Sequence, residues 1–76
     1  MKMYWEYKDD VPEEYTAFRE VADEKVAHML LLPQVVDGEV EMTSDEWRVR
    51  YADLNRRVHE AASRFRGALR ERGLID

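Results

Sequence analysis

Between residues 43 and 73 the apolar and near-apolar side chains Trp47, Tyr51, Leu54, Val58, Ala61, Phe65 and Ala68 recur at steps of four and three. That spacing holds one seam on one face of an α-helix for about six turns and cannot belong to a strand, whose faces alternate at every residue. Both ends of the segment are marked. Thr43 as N-cap places Glu46 at the third helical position, a Thr-x-x-Glu capping box, and Met42 and Trp47 take the two hydrophobic-staple positions. Asp45 and Glu46 suit the positive end of the helix dipole, and Arg70 and Arg72 the negative end. Gly73 sits where a helix needs a left-handed residue, with Leu74 placed to close onto Leu69. The spacing predicts a helix over 44–72, about 43 Å long.

The remaining residues must cover that seam. Residues 2–8 alternate loosely, with Met3, Trp5 and Tyr7 on one side, which reads as a short strand. A helix is expected over 11–32: Asp10 and Glu13 have capping-box spacing and Pro12 fits a first turn. Its apolar positions are Tyr15, Phe18, Val21, Ala22, Val26, Met29 and Leu30, and Pro33 ends it. Asp37-Gly38 between valine-bearing flanks reads as the type I′ turn of a β-hairpin over 34–42. The expected fold is therefore mainly α, a small α+β domain: N-terminal strand, helix, β-hairpin and long C-terminal helix. The last helix is longer than the first can cover. A chain of 76 residues without cysteine has a thin core and no disulfide to support it. A helical-bundle homodimer is expected to follow, paired through Trp47, Tyr51, Leu54, Val58 and Phe65.

Charge is divided along the chain. Residues 1–43 carry four basic and eleven acidic side chains, a net of −7, whereas residues 44–76 carry eight arginines and six acids, a net of +2. The halves are built to complement each other or to face an external partner. Asp10, Glu13, Glu14, Glu20, Asp23 and Glu24 belong to an acidic run that would steer a basic protein, including one whose ordinary ligand is nucleic acid. Arg56, Arg57 and Arg64 form a second polar face on the long helix. Arginines spread along a helix also read as a nucleic-acid contact, but here Asp53, Glu60 and Glu71 interrupt them in an acidic chain.

Side chains that carry chemistry are sparse. Glu20, Glu24 and His28 share one helical stripe, yet His59 is the only other histidine and nothing in the spacing brings it near. Ser63 follows His59 by four residues without a carboxylate placed to orient the imidazole. The three glycines, Gly38, Gly67 and Gly73, make no phosphate-binding loop. No metal, cofactor or catalytic residue is expected.

The stretch Tyr51-Ala52-Asp53-Leu54-Asn55-Arg56-Arg57-Val58, continued by Ala68-Leu69-Arg70-Glu71-Arg72-Gly73-Leu74, resembles an early helix of adenylate-forming acyl-CoA synthetases. In that family the helix also follows a short hairpin. The likeness covers about a third of the chain, and the family's phosphate-binding and catalytic motifs have no counterpart here, so no activity carries over. The sequence reads instead as a non-enzymatic interaction module that occupies a surface of a larger protein, as antitoxins and phage-encoded inhibitors of bacterial defence do. A nucleic-acid-binding regulator and a structural homodimer are the other readings. Lacking a basic start followed by an apolar run, and any span of membrane length, the chain reads as cytoplasmic.

Overall fold

The computed structural model describes residues 2–75. In chain order they form a 3₁₀ turn (Tyr4–Tyr7) and three helices, α1 (Pro12–Leu30), α2 (Leu32–Val36) and α3 (Ser44–Glu71). Helices α1 and α3 pack side by side as a hairpin, and the molecule extends 48 × 20 × 18 Å.

Helix α3 starts and stops where its sequence signals lie. The Glu46 backbone N–H donates to Thr43 Oγ1 at 3.1 Å. At the far end Gly73 has φ +72°, its N–H donates to the Arg70 carbonyl, and the Leu74 N–H donates to the Leu69 carbonyl. This is the paired bonding of a Schellman cap.

The seam of α3 is covered within the chain. Leu54 is 1% exposed and Phe65 5%, while Trp47, Tyr51 and Val58 are half-buried. Val21 and His28 of α1 are buried, and Val35 of α2 is buried too. Near the C-terminal end of α3 the core consists of Tyr7, Val11, Phe65 and Leu69, with Tyr15, Ala68 and Ile75 packed against it. Short α1 thus leaves an overhang that the 3₁₀ turn and α2 take up from the same chain, in place of the second copy expected at this seam.

Neither expected β element is present: no strand occurs among the described residues. Residues 2–8 curl instead of extending. The Met3 N–H donates to Glu6 Oε2 at 2.6 Å, and Tyr4 lies 6.2 Å from Tyr15 and 5.6 Å from Phe18, ring centre to ring centre. A lone strand there would have no ladder partner for its backbone groups.

The Asp-Gly pair caps a helix rather than turning a hairpin. A type I′ turn needs positive φ at both residues. Only Gly38 has it, at +75°, while Asp37 stays right-handed at −79°. The Gly38 N–H donates to Val35 and the Glu39 N–H to Gln34, a second Schellman cap closing α2. Pro33 ends α1 near the expected place, but it then serves the first turn of α2, where a missing N–H costs nothing. Asp10 likewise does not cap α1: the N-cap is Val11, whose side chain is 1% exposed and has no polar atom to offer.

Candidate protein-binding surface

Helix α1 presents three stripes, set by about 100° of rotation per residue. Val21 and His28 face α3 and are buried. On one side of them run Glu13, Glu20 and Glu24, all exposed. On the other run Tyr15, Ala22, Val26 and Met29, and here the expectation of a single buried apolar face fails: Val26 is 55% exposed, Met29 48% and neighbouring Leu30 70%. The apolar arc of α1 is wider than one helix can cover.

The acidic stripe borders the arginines of α3. Glu24 accepts from Arg57 across the two helices at 3.0 Å. A shallow groove of about 500 Å³ lined by Ala17, Glu20, Val21, Asp23, Glu24 and Arg57 follows this border. A smaller one, about 190 Å³, is lined by Glu13, Glu14, Ala17, Ala61 and Arg64. Of the expected recognition residues, the structure therefore brings Glu13, Glu14, Glu20, Glu24, Arg57 and Arg64 to one side of the hairpin. Asp23 belongs with Arg19, 3.2 Å away on the outer side of α1. Asp10 is half-buried in the turn before α1.

Arg56 is engaged along α3, donating to Asp53 at 2.6 Å and Glu60 at 2.7 Å. That hydrogen bond holds the Asp53 carboxyl below its ordinary value despite some desolvation, and the two carboxylates raise Arg56. Because the folded-state value of Asp53 is lowered, its contribution is present above the ordinary carboxylate range and is lost as pH falls through the lowered value. Arg56→Gln is expected to return Asp53 upward toward its ordinary value, read from carboxyl carbon shifts in a pH titration; an unchanged Asp53 midpoint would refute the clamp.

At the other end of the hairpin a side-chain stack joins α1 to α3, and the sequence reading missed it. Trp47 lies between His28, 4.9 Å away with the planes 16° apart, and Tyr51, at 5.2 Å and 11°. The indole N–H donates to the His28 carbonyl at 2.9 Å, and His28 Nε2 lies 2.9 Å from the Trp47 carbonyl. A carbonyl only accepts, so Nε2 carries the proton. His28 is 3% exposed and its Nδ1 has no hydrogen-bond partner among the described residues. Lys25 closes the side of the stack, donating to Asn55 Oδ1 at 2.8 Å with its ammonium 5.5 Å from the centre of the Tyr51 ring. The spacing 25, 28 on one helix and 47, 51, 55 on the other contained this pattern, but only the handed packing of the hairpin pairs them.

Among the described residues no group of three metal-ligating side chains comes together, and no helix is long and apolar enough to cross a membrane. His28 and His59 are not joined: the first is buried and the second exposed. Compared with known proteins, the chain matches no family model, and no curated protein or solved structure is significantly similar to it. The short likeness of α3 to acyl-CoA synthetases is extended by none of these comparisons.

Proposed function

We propose that the chain is a small non-enzymatic interaction module, a regulator or inhibitor that occupies a basic surface of a larger protein. The observation that carries this reading is the exposed carboxylate stripe of Glu13, Glu20 and Glu24 on a helix held rigidly against α3, with Glu14 beside it. Charges fixed on a packed helix retain their geometry in the encounter, which favours association rate and orientation. Glu24 is partly neutralised by Arg57, so Glu13, Glu14 and Glu20 carry most of the field.

The alternative, a nucleic-acid contact through α3, meets an obstacle. Arg56 is held by two carboxylates and Arg57 by one, and a phosphate would have to displace them.

The test is a tagged capture from nuclease-treated lysate, run in parallel with Glu13→Gln/Glu14→Gln/Glu20→Gln. A stoichiometric, salt-sensitive protein is expected with the parent chain and at least about tenfold less of it with the variant. Equal capture by both refutes the acidic recognition face. Retention of nucleic acid in untreated lysate, lost on Arg64→Gln, would favour the α3 reading.

A further inference from the structure

The apolar stripe of α1 that α3 leaves open has an internal symmetry. Tyr15, Phe18, Ala22, Val26 and Met29 step by three, four, four and three, so the pattern reads the same in both directions about Ala22. Its halves differ in chemistry. The N-terminal half is aromatic, with Tyr4 stacked near Tyr15 and Trp5 edge-on to Tyr4 at 5.2 Å; Trp5 is 48% exposed. The C-terminal half is aliphatic and open, through Val26, Met29 and Leu30.

We infer that this stripe is the dimer interface of the protein, and that its occupant is the α1 stripe of a second copy, antiparallel, with the twofold axis at Ala22. A closed dimer needs a patch complementary to itself, and a stripe palindromic in spacing but opposite in chemistry at its two ends meets that need. The axis sets Phe18 against Val26 of the second copy and Tyr15 against Met29 of the second copy, pairing sulfur and aliphatic groups with rings twice over. Ala22 at the crossing point lets the two helices approach to about 8 Å. From Tyr15 to Met29 the contact runs about 21 Å along the helix. A standard interface takes about 800 Å² from each partner, roughly one-seventh of this chain's 5791 Å².

Charge at the border agrees. Arg19 and Asp23 lie side by side on one edge of the stripe. In an antiparallel pair that edge meets itself, and the axis brings Arg19 to within about 3 Å, along the helix, of the level of Asp23 in the second copy. Two intrachain pairs thus become a four-charge cluster across the interface. The acidic stripe lies on the other side of α1 and stays outward, so this inference does not rest on the proposed function.

Two measurements test it on the whole chain. Sedimentation over a concentration series is expected to show a dimer, and Val26→Glu/Met29→Glu to weaken it by more than about a hundredfold while helical content is kept. Because the chain has no cysteine, Ala22→Cys should also form a disulfide-linked dimer on mild oxidation. Val49→Cys, 72% exposed on the outward side of α3, should not. A monomer at every concentration overturns the inference, as does a dimer untouched by the two glutamates. Equal cross-linking at positions 22 and 49 would place the twofold elsewhere and overturn it too.

Discussion

Phe65→Ala is expected to remove most of the stability of the fold. Phe65 is 5% exposed and sits among three rings: Phe18 stacked at 5.9 Å, Tyr15 at 6.2 Å and Tyr7 edge-on at 6.4 Å. It is the one residue that α1, the 3₁₀ turn and α3 all touch, so nothing nearby can collapse into the space it leaves. Truncating a buried phenylalanine costs about 3–5 kcal/mol. A 76-residue domain has roughly 4–11 kcal/mol in total. Thermal unfolding followed by circular dichroism should show Tm lowered by roughly 12–40 °C, or no cooperative transition remaining. Val49→Ala, at a 72% exposed position of the same helix, should stay within about 0.5 kcal/mol of the parent. A loss below about 1 kcal/mol for Phe65→Ala would mean that the aromatic cluster is not the core.

What was legible in the sequence was local. The α3 seam, the Thr43 cap and the Gly73 cap each rest on residues a few positions apart, and each is found in the structure. The β-hairpin fails for an instructive reason. Asp37-Gly38 does report a left-handed residue, but one positive φ serves a helix cap as well as a turn, and only Asp37 staying right-handed separates the two. The β reading of residues 2–8 rested on alternation alone. It yields to Tyr4, which gains more against Tyr15 and Phe18 than an unpaired strand could offer.

The surface was legible in composition and not in placement. The acidic run reads plainly from the sequence, yet Glu24 and Asp23 diverge in the structure, one to Arg57 of α3 and the other to Arg19 of its own helix. Which arginine meets which acid depends on the rotation of α1 about its axis. That rotation is fixed by Val21 and His28 turning inward, and the sequence treats these two as no more apolar than Val26 and Met29. His28 is the deciding residue: a histidine is not expected in a core, and it is accepted here because Trp47 offers both a ring face and a carbonyl.

That pairing leads to the second large effect. Trp47→Ala is expected to cost about 3 kcal/mol, the low end for a tryptophan because the ring is half-buried. Trp47→Phe should cost about 1 kcal/mol, since it keeps a ring between His28 and Tyr51 and loses only the N–H donated to His28. The His28 carbonyl is not orphaned by that loss, because it also accepts from the Leu31 N–H at 3.1 Å. Urea unfolding of the two variants separates stacking from hydrogen bonding: equal costs would assign the tie to the hydrogen bond, and two costs below about 0.5 kcal/mol would remove it as a stabilising contact. The location of the damage is a further check. The stack joins the end of α1 to the start of α3, whereas the Phe65 cluster holds the opposite end of the hairpin. Hydrogen exchange in Trp47→Ala should therefore speed up in α2 and the first turns of α3 while the amides around Phe65 keep their protection. Uniform acceleration along α3 would show that the two ends open as one unit, with Trp47 acting on global rather than local stability.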